Sequence, residues 1–280
     1  MLKELRGSGL PLYINEADNV LAMSAPLLYN GYGTKNAGQM RGLLADEANL
    51  DENEVCYDVY RGLRLPDDKA LLDSHDARYD ITVIMGGLIN GECKKTAGHY
   101  HGYNPEHTYS YAEVYEVIKG TVLFVLQRAD NFDGNPGDLK VDDIILAVVK
   151  EGEIIVIPPN YGHCSYNISV SGPGVFGSFA YVPCTIAYDP VKQYHGMGYY
   201  IKKADDDPAA VPNGRYKNLP APKFARVREN PKLGIQFGLP VYDSFKRNPD
   251  AFAFLGKPAQ YFDETLSMLD MKNTLQEALK

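Results

Sequence analysis

The chain has 280 residues, of which 45% are hydrophobic and 23% are charged, and its formal net charge is −8. This length and composition are ordinary for a soluble globular protein with a sizeable core. The acidic balance argues against nucleic acid and anionic membranes as partners, although one local positive site can still bind a small phosphorylated ligand. No apolar run approaches the ~20 residues that cross a bilayer, and the N-terminus lacks the apolar segment of a secretory signal. We therefore expect a cytoplasmic protein that binds neither nucleic acid nor membrane.

Residues 1–55 combine a glycine-rich stretch, LLYNGYGTKNAGQM, with a short helix expected near Met40–Leu50. We interpret them as an N-terminal arm that packs on the core. From Val55 the sequence changes to short β-rich runs separated by Gly, Pro, Asn or Asp. These runs are VCYDVYRGL, DITVIMGGLI, AEVYEVIKG, TVLFVLQ, AVVKEGEIIVIPP and VFGSFAYVP. Many short strands with frequent turn signals predict an all-β core, an antiparallel sandwich or barrel over residues 56–200.

After Gly196 the pattern loosens. The stretch KKADDDPAAVPNGRYKNLPAPKF holds three consecutive aspartates and four prolines, which predicts irregular surface chain. At the end of the sequence, apolar residues recur at helical spacing and predict an amphipathic helix. The residues of this stripe are Met268, Met271, Leu275 and Leu279. We therefore expect residues 201–280 to form a C-terminal extension that is first irregular and then helical. Packing of the helix on its own barrel is the preferred interpretation, and a dimer contact is the alternative.

The sharpest chemical signal is TAGHYHGYNPEHTYSYAEVYEVIKG, followed further along the chain by GEIIVIPPNYGHCSYN. Residues i and i+2 of a strand face the same side, so His99 and His101 should point together. Glu113 lies in another β-rich run and shares a face with Tyr115. His163 follows the turn PPNYG and opens a further strand. Three neutral imidazoles and one carboxylate suit one divalent ion such as iron, nickel, manganese or zinc, and they leave coordination positions open for a reaction.

These residues resemble the two cupin motifs. The second motif is matched by Gly152, Pro158, His163 and Asn167. It departs from the family at Asn160, where glycine is usual, and both residue types tolerate a positive φ. The resemblance implies a cupin fold, a double-stranded β-helix or jelly-roll barrel.

The first cupin motif has its HxH pair at His99 and His101, its glutamate at Glu113 and its glycine at Gly120. The distance from His101 to Glu113 is longer than the usual cupin spacing, and we interpret GYNPEHTYS as a loop inserted between two strands. This loop contains an alternative acidic ligand and a further histidine, and a third glutamate follows Glu113 on the same strand. These three residues are Glu106, His107 and Glu116. We prefer Glu113 as the ligand, because Glu116 has the opposite strand parity and should face outward.

The runs ITVIMGG, TAGHYHG, AEVYEVIKGT, VIPPNYGHCSYN and FAYVP resemble the archaeal-type glucose-6-phosphate isomerases, which are cupins, over about residues 55–190. The resemblance implies a metal-dependent aldose–ketose isomerase of glycolysis and gluconeogenesis that interconverts glucose 6-phosphate and fructose 6-phosphate. It also implies a small phosphosugar as the partner, a homodimer, and one divalent metal ion per chain, with Fe²⁺ preferred over Ni²⁺, Mn²⁺ or Zn²⁺.

The same resemblance assigns roles to individual residues. The implied metal ligands are His99, His101, Glu113 and His163. The implied catalytic residues are Glu113 and Tyr115, and the implied substrate-binding residues are Thr82, Thr96, Gly98 and Tyr181. Tyr188 stands roughly where the family has a histidine. For Thr82 an ordinary β-branched strand residue remains the alternative, and for the two pocket tyrosines a buried ring with a satisfied hydroxyl does.

The sequence is also compatible with two other functions. Three histidines and one glutamate also suit a cupin dioxygenase with non-haem iron, and a non-catalytic cupin that binds sugar or metal would show the same ligands. For the isomerase, the sequence does not choose between a base that forms a cis-enediol and a hydride shift between C1 and C2.

Overall fold

The computed structural model describes residues 1–204 and 207–280, and β-strands dominate it. In chain order the strands are β1 (Leu2–Glu4), β2 (Leu12–Asn15), β3 (Leu21–Met23), β4 (Gly31–Asn36), β5 (Val55–Arg61), β6 (Ala77–Ile84), β7 (Leu88–Ile89), β8 (Glu92–Cys93), β9 (Tyr100–His101), β10 (Glu113–Lys119), β11 (Thr121–Ala129), β12 (Val141–Lys150), β13 (Ile154–Ile157), β14 (Tyr161–Asn167), β15 (Gly174–Tyr181), β16 (Ile186–Ala187), β17 (Tyr199–Ala204), β18 (Asp207–Pro212), β19 (Lys223–Val227) and β20 (Leu269–Lys272).

The helices of the described residues are short. The α-helices are α1 (Lys69–Ser74), α2 (Asp189–Gln193), α3 (Val241–Arg247), α4 (Pro258–Ser267) and α5 (Leu275–Leu279), and 3-10 turns occupy Arg6–Ser8, Pro66–Asp68, Pro136–Asp138, Pro231–Leu233 and Pro249–Leu255. Among these described helices, none has both the length and the apolar character that crossing a bilayer requires.

Two sheets enclose the main core. One has the strand order β13-β10-β15-β6-β5-β4 and the other has the order β14-β11-β12-β19-β20. Strand alternation divides the side chains of β10 between two apolar clusters. Tyr115 and Val117 join the cluster between the sheets, and Val114 and Ile118 join a second cluster on the outer face. This arrangement confirms the predicted all-β core with a cupin barrel.

The N-terminal residues contribute to both clusters. Leu12 and Ile14 of β2 are fully buried in the outer cluster, and β4 extends the six-stranded sheet as its edge strand. The helix expected near Met40–Leu50 is wrong, because this stretch consists of turns and bends. Gly42 has a φ of +76° and Asn49 a φ of +50°, and residues in this conformation interrupt a right-handed helix.

The irregular chain predicted after Gly196 is also wrong in part, because strands β17 and β18 pair with each other in antiparallel fashion. The prolines of β18 misled the prediction, since proline removes a backbone donor. They are tolerated here because β18 is the edge of its four-stranded sheet. Asp205 and Asp206 of the aspartate run lie outside the described residues.

The predicted C-terminal helix is broken by a strand. Leu269–Lys272 pairs with β19 at the edge of the five-stranded sheet, and helix resumes only at Leu275. The helical spacing of Met268 and Met271 is therefore misleading, since Met268 is buried and Met271 is exposed. Backbone pairing with an existing sheet edge overrides the local helical pattern. Leu269 and Ala278 join the main core, so this stretch packs on its own barrel.

The boundaries at residues 55 and 200, which divide the N-terminal arm, the barrel and the C-terminal extension, stay predictions.

Glu116 points away from the barrel interior, as its parity predicts, yet it is only 1% exposed. The C-terminal residues cover it, and its Oε2 accepts a hydrogen bond of 2.8 Å from the N–H of Val241. Burial raises the pKa of this carboxyl to about 8. An exposed glutamate in an unfolded chain has a pKa of about 4.3. Glu116 is therefore protonated in the folded protein at neutral pH.

We expect Glu116→Gln to remove part of the pH dependence of stability. Folding raises the pKa of the Glu116 carboxyl. Its contribution to the free energy of unfolding is therefore fully present below the pKa of the unfolded chain, and it is lost as pH rises through the folded pKa of about 8. Each unit of difference between the folded and unfolded pKa is worth ~1.4 kcal/mol, so the free energy of unfolding of wild type should fall by several kcal/mol between about pH 5 and pH 8. Urea unfolding at both values should show the variant close to wild type at pH 5 and more stable at pH 8. The exposed Glu264→Gln is the control, and an equal pH dependence in all three proteins would contradict the assignment.

Candidate metal centre

A β-bridge brings two of the predicted ligands side by side. The N–H of His99 donates to the carbonyl of His163 over 3.1 Å, and the N–H of His163 donates to the carbonyl of His99 over 2.9 Å. His101 follows on β9, on the same side as His99, and Glu113 opens β10. Three separate segments of the barrel thus deliver the four side chains to one point.

The ligand atoms converge. His99 Nε2 lies 3.2 Å from His101 Nε2, and Glu113 Oε2 lies 3.1 Å from His101 Nε2 and 3.6 Å from His163 Nε2. All four donor atoms lie within 4.8 Å of one another. His101 Nδ1 lies 2.9 Å from the carbonyl oxygen of Tyr111, and a hydrogen bond to that acceptor keeps the proton on Nδ1 and turns the Nε2 lone pair into the cluster. This donor set fits a divalent ion, and the four residues could hold one.

The protonation states also suit a metal. Burial, with the neighbouring His101, lowers the pKa of His99 to about 3, and burial also lowers the pKa of His163 well below its usual value. Burial would lower the pKa of His101 too, but the hydrogen bond and charge of Glu113 outweigh it and raise that pKa. For Glu113, burial acts to raise the pKa, and His101 reverses this and lowers it. The cluster therefore contains an ionised carboxylate, and His99 and His163 are neutral imidazoles, the form in which histidine binds a metal.

The alternative ligands point elsewhere. Asn104 donates to the carboxylate of Glu106 over 2.8 Å, and exposed His107 pairs with Asp133 at 2.7 Å. The side chains of the inserted loop therefore bind one another and a neighbouring turn, and they do not reach the three histidines. Glu116 faces the other side of the sheet, so Glu113 is the glutamate that reaches the three histidines.

A cavity of about 150 Å³ opens beside the cluster. The predicted catalytic and substrate residues all line it, and these are Thr82, Thr96, Gly98, Glu113, Tyr115 and Tyr181. Within residues 1–204 and 207–280, the Thr82 hydroxyl has no hydrogen-bond partner. The Thr96 hydroxyl instead accepts a bond of 3.0 Å from the N–H of Ser165. Thr82 is thus the freer of the two hydroxyls for a bound molecule.

Gly98 meets two backbone requirements at once. Its φ is +78°, a conformation that L side chains rarely adopt, and a Cβ there would lie 3.1 Å from Cβ of Cys164. The absence of a side chain lets this segment pack closely against β14, which carries His163. In the described part of the chain the N–H of Gly98 has no acceptor, so it can donate to a ligand in the cavity.

The tyrosines border the metal centre. The Tyr115 hydroxyl lies 2.8 Å from His163 Nε2, and burial raises its pKa well above the usual value. Tyr181 packs against Tyr111 with ring centroids 4.9 Å apart, and the ring of Tyr188 lies 5.5 Å from that of His99. Tyr115 therefore keeps its proton at neutral pH and acts as a hydrogen-bond donor.

Sequence reasoning missed the charged rim of the cavity. Arg61, Arg78 and Asp80 line it, together with Ser165 and Ser178. Strand parity was the signal that could have found Arg78 and Asp80. Alternate residues face one side, so the assignment of Thr82 to the pocket also brings Asp80 and Arg78 there.

The family model for glucose-6-phosphate isomerase (GPI) matches residues 34–212 of the chain. A comparison with curated proteins finds no match. The match to the family model includes residues 55–190, where the sequence motifs resemble the cupin isomerases, and it extends beyond them to β4 and β18.

Several solved structures share a low similarity with the chain. Vicilin from Corylus avellana (hazelnut) has 15% identity and a TM-score of 0.32, over 46% of this chain and 31% of that one. Vicilin from Capsicum annuum has 13% identity and a TM-score of 0.33, over 51% and 33%. An oxalate oxidase has 19% identity and a TM-score of 0.27, over 40% and 45%. The chain thus covers about a third of the length of these vicilins, and similarities this low carry no argument about function. The family match, by contrast, spans well over half of the 280 residues and confirms the family that the motifs predicted: the chain belongs to the glucose-6-phosphate isomerase (GPI) family.

Proposed function

We propose that the protein is a metal-dependent aldose–ketose isomerase that interconverts glucose 6-phosphate and fructose 6-phosphate. The convergence of His99, His101, Glu113 and His163 at a cavity with unpartnered polar donors carries this proposal. The family to which the chain belongs supplies the reaction and the substrate class. No observation favours a dioxygenase or a non-catalytic cupin over it.

A divalent ion held by the four ligands would act as a Lewis acid toward the oxygens on C1 and C2 of the open-chain sugar. Glu113 contacts His101 and His163 through Oε2, which leaves Oε1 as the atom that can take a proton from carbon on the cis-enediol route. The hydride-shift route needs no such base, and Glu113 then serves as a ligand alone. A His163 Nε2 that coordinated a metal would have no lone pair left for Tyr115, so the Tyr115 hydroxyl would donate to the Glu113 carboxylate beside it or to a sugar oxygen.

The polar groups on the cavity wall would position the substrate. The Thr82 hydroxyl and the Gly98 N–H are donors without acceptors in the described residues, and Thr96 lies beside Gly98. Tyr181, on the neighbouring strand β15, would cover the sugar chain.

We further propose Fe²⁺ as the metal, with Ni²⁺, Mn²⁺ or Zn²⁺ as alternatives, because a set of three imidazoles and one carboxylate suits borderline ions. We also propose a homodimer that works in the cytoplasm in glycolysis and gluconeogenesis, as the resemblance to cupin isomerases implies. Metal analysis and light scattering of the purified protein test the first two of these proposals.

We expect Thr82→Val to raise the KM for fructose 6-phosphate by roughly 10- to 100-fold, since a hydrogen bond to a charged group is typically worth ~1.5–3 kcal/mol. Valine has the shape of threonine, so strand β6 and the metal content should be unchanged. Steady-state kinetics checks this, with Thr34→Val, an exposed position of β4 outside the cavity, as the control. Wild type should leave unphosphorylated fructose almost unchanged. Equal turnover of fructose and fructose 6-phosphate by wild type would overturn the phosphosugar assignment.

A further inference from the structure

Arg61 is the last residue of β5 and faces the cavity of the metal centre. Tyr57, Val59 and Arg61 alternate along the strand, and all three line the cavity. Val59 lies opposite Thr82 in the pairing of β5 with β6. Arg61 therefore stands two residues along from the strand neighbour of Thr82, at the rim of the same wall.

The edge strand β4 makes room for the Arg61 side chain. Gly33 pairs with Val59, and a Cβ at Gly33 would lie 3.2 Å from Nη1 of Arg61. The guanidinium thus lies against bare backbone on one side and borders the cavity on the other. This contact gives the glycine-rich stretch of the N-terminal arm a role beside the cavity.

The charges on this rim do not cancel. Arg78 and Asp80 form a two-pronged pair, with Nε–Oδ1 at 2.9 Å and Nη2–Oδ2 at 2.8 Å. Asp80 Oδ1 also accepts the N–H of Gly62 over 2.9 Å. In contrast, no carboxylate of residues 1–204 or 207–280 lies within ion-pair distance of Arg61. Arg61 therefore brings an unpaired positive charge to a protein whose net charge is −8.

Arg61 and the metal ligands line the same cavity. The ring of Tyr188 lies 5.5 Å from that of His99. Burial raises the pKa of Tyr188, and the nearby positive charge of Arg61 offsets part of that rise. The Thr82 hydroxyl faces the same cavity without a partner. An open-chain hexose phosphate has reacting carbons at one end and a dianion at the other, so it calls for both a metal centre and a cation in one cavity.

We propose that the guanidinium of Arg61 binds the phosphate group of the substrate, with the Thr82 hydroxyl as a neighbouring donor. This inference rests on the proposed function and names the residue that recognises the charge of the substrate. Hydroxyl and N–H donors alone leave a dianion unneutralised, and arginine matches a phosphate with two parallel hydrogen bonds. Lysine keeps the charge but lacks the planar fork, so Arg61→Lys should retain only part of the affinity.

The test compares Arg61→Gln and Arg61→Lys with wild type in the full-length, metal-loaded protein, with Lys35→Gln as the control. Lys35 is an exposed cation of β4 that does not line the cavity. Arg61→Gln should raise the KM for fructose 6-phosphate by roughly 10- to 100-fold with little change in kcat, and Arg61→Lys by less. Lys35→Gln should behave like wild type. Metal content should be the same in all four proteins.

Calorimetric titration with inorganic phosphate provides a readout that does not depend on turnover. Arg61→Gln should weaken phosphate binding by a similar factor and flatten its dependence on ionic strength. Unchanged phosphate binding and an unchanged KM in Arg61→Gln would overturn the role of Arg61. A wild type that binds phosphate through Arg61 yet does not isomerise fructose 6-phosphate would instead contradict the proposed function and leave the anion site standing.

Discussion

Replacing His163 by alanine should remove the metal from the protein and abolish the isomerisation of fructose 6-phosphate. The substitution deletes one of four donors and leaves Glu113 without one of its two histidine neighbours, which lies 3.6 Å away. The loss of an outer partner of a ligand already weakens metal binding by about 10- to 100-fold, and the loss of a ligand itself should cost more. A Lewis acid is worth several kcal/mol of transition-state stabilisation, so the rate should fall by at least about a thousandfold.

Elemental analysis of the purified variant, alongside the rate assay, measures both effects. The fold should survive, because the bridge between His99 and His163 uses backbone atoms and the barrel has its own apolar core. Circular dichroism and thermal unfolding check this. The matched control is His107→Asn in the inserted loop, where φ is +55° and asparagine is tolerated. A His163→Ala protein with a full complement of metal would refute the ligand assignment.

The metal centre was predictable because strand parity and motif spacing act over short distances. His99 and His101 are two residues apart, so a strand alone places both on one side. The sequence favours Glu113 over Glu106 despite the unusual spacing, and the structure shows that the longer loop folds back on itself and does not displace Glu113. Asn104 binds the side chain of Glu106 and accepts the N–H groups of Thr108 and Tyr109, so the insertion is a closed turn beside the site.

Features that depend on distant segments were not predictable in the same way. Parity correctly sends Glu116 away from the barrel, but only the tertiary structure shows that Val241 covers it. The strand at Leu269–Lys272 forms because β19 offers an unpaired edge, which the local helical spacing does not reveal. Arg61 was missed for a related reason, since its importance lies in the absence of a carboxylate partner among the described residues. Local sequence signals contain no information about such pairings.

We propose that this chain isomerises a phosphosugar with a metal ion bound by three histidines and Glu113. The most direct test is a coupled assay of the conversion of fructose 6-phosphate to glucose 6-phosphate, before and after treatment with EDTA. We expect purified protein to contain about one divalent metal ion per chain, since the four donors form one site. Chelation should abolish turnover, and addition of iron(II), nickel or manganese should restore it. Undiminished turnover by protein from which metal removal has been verified would contradict the account.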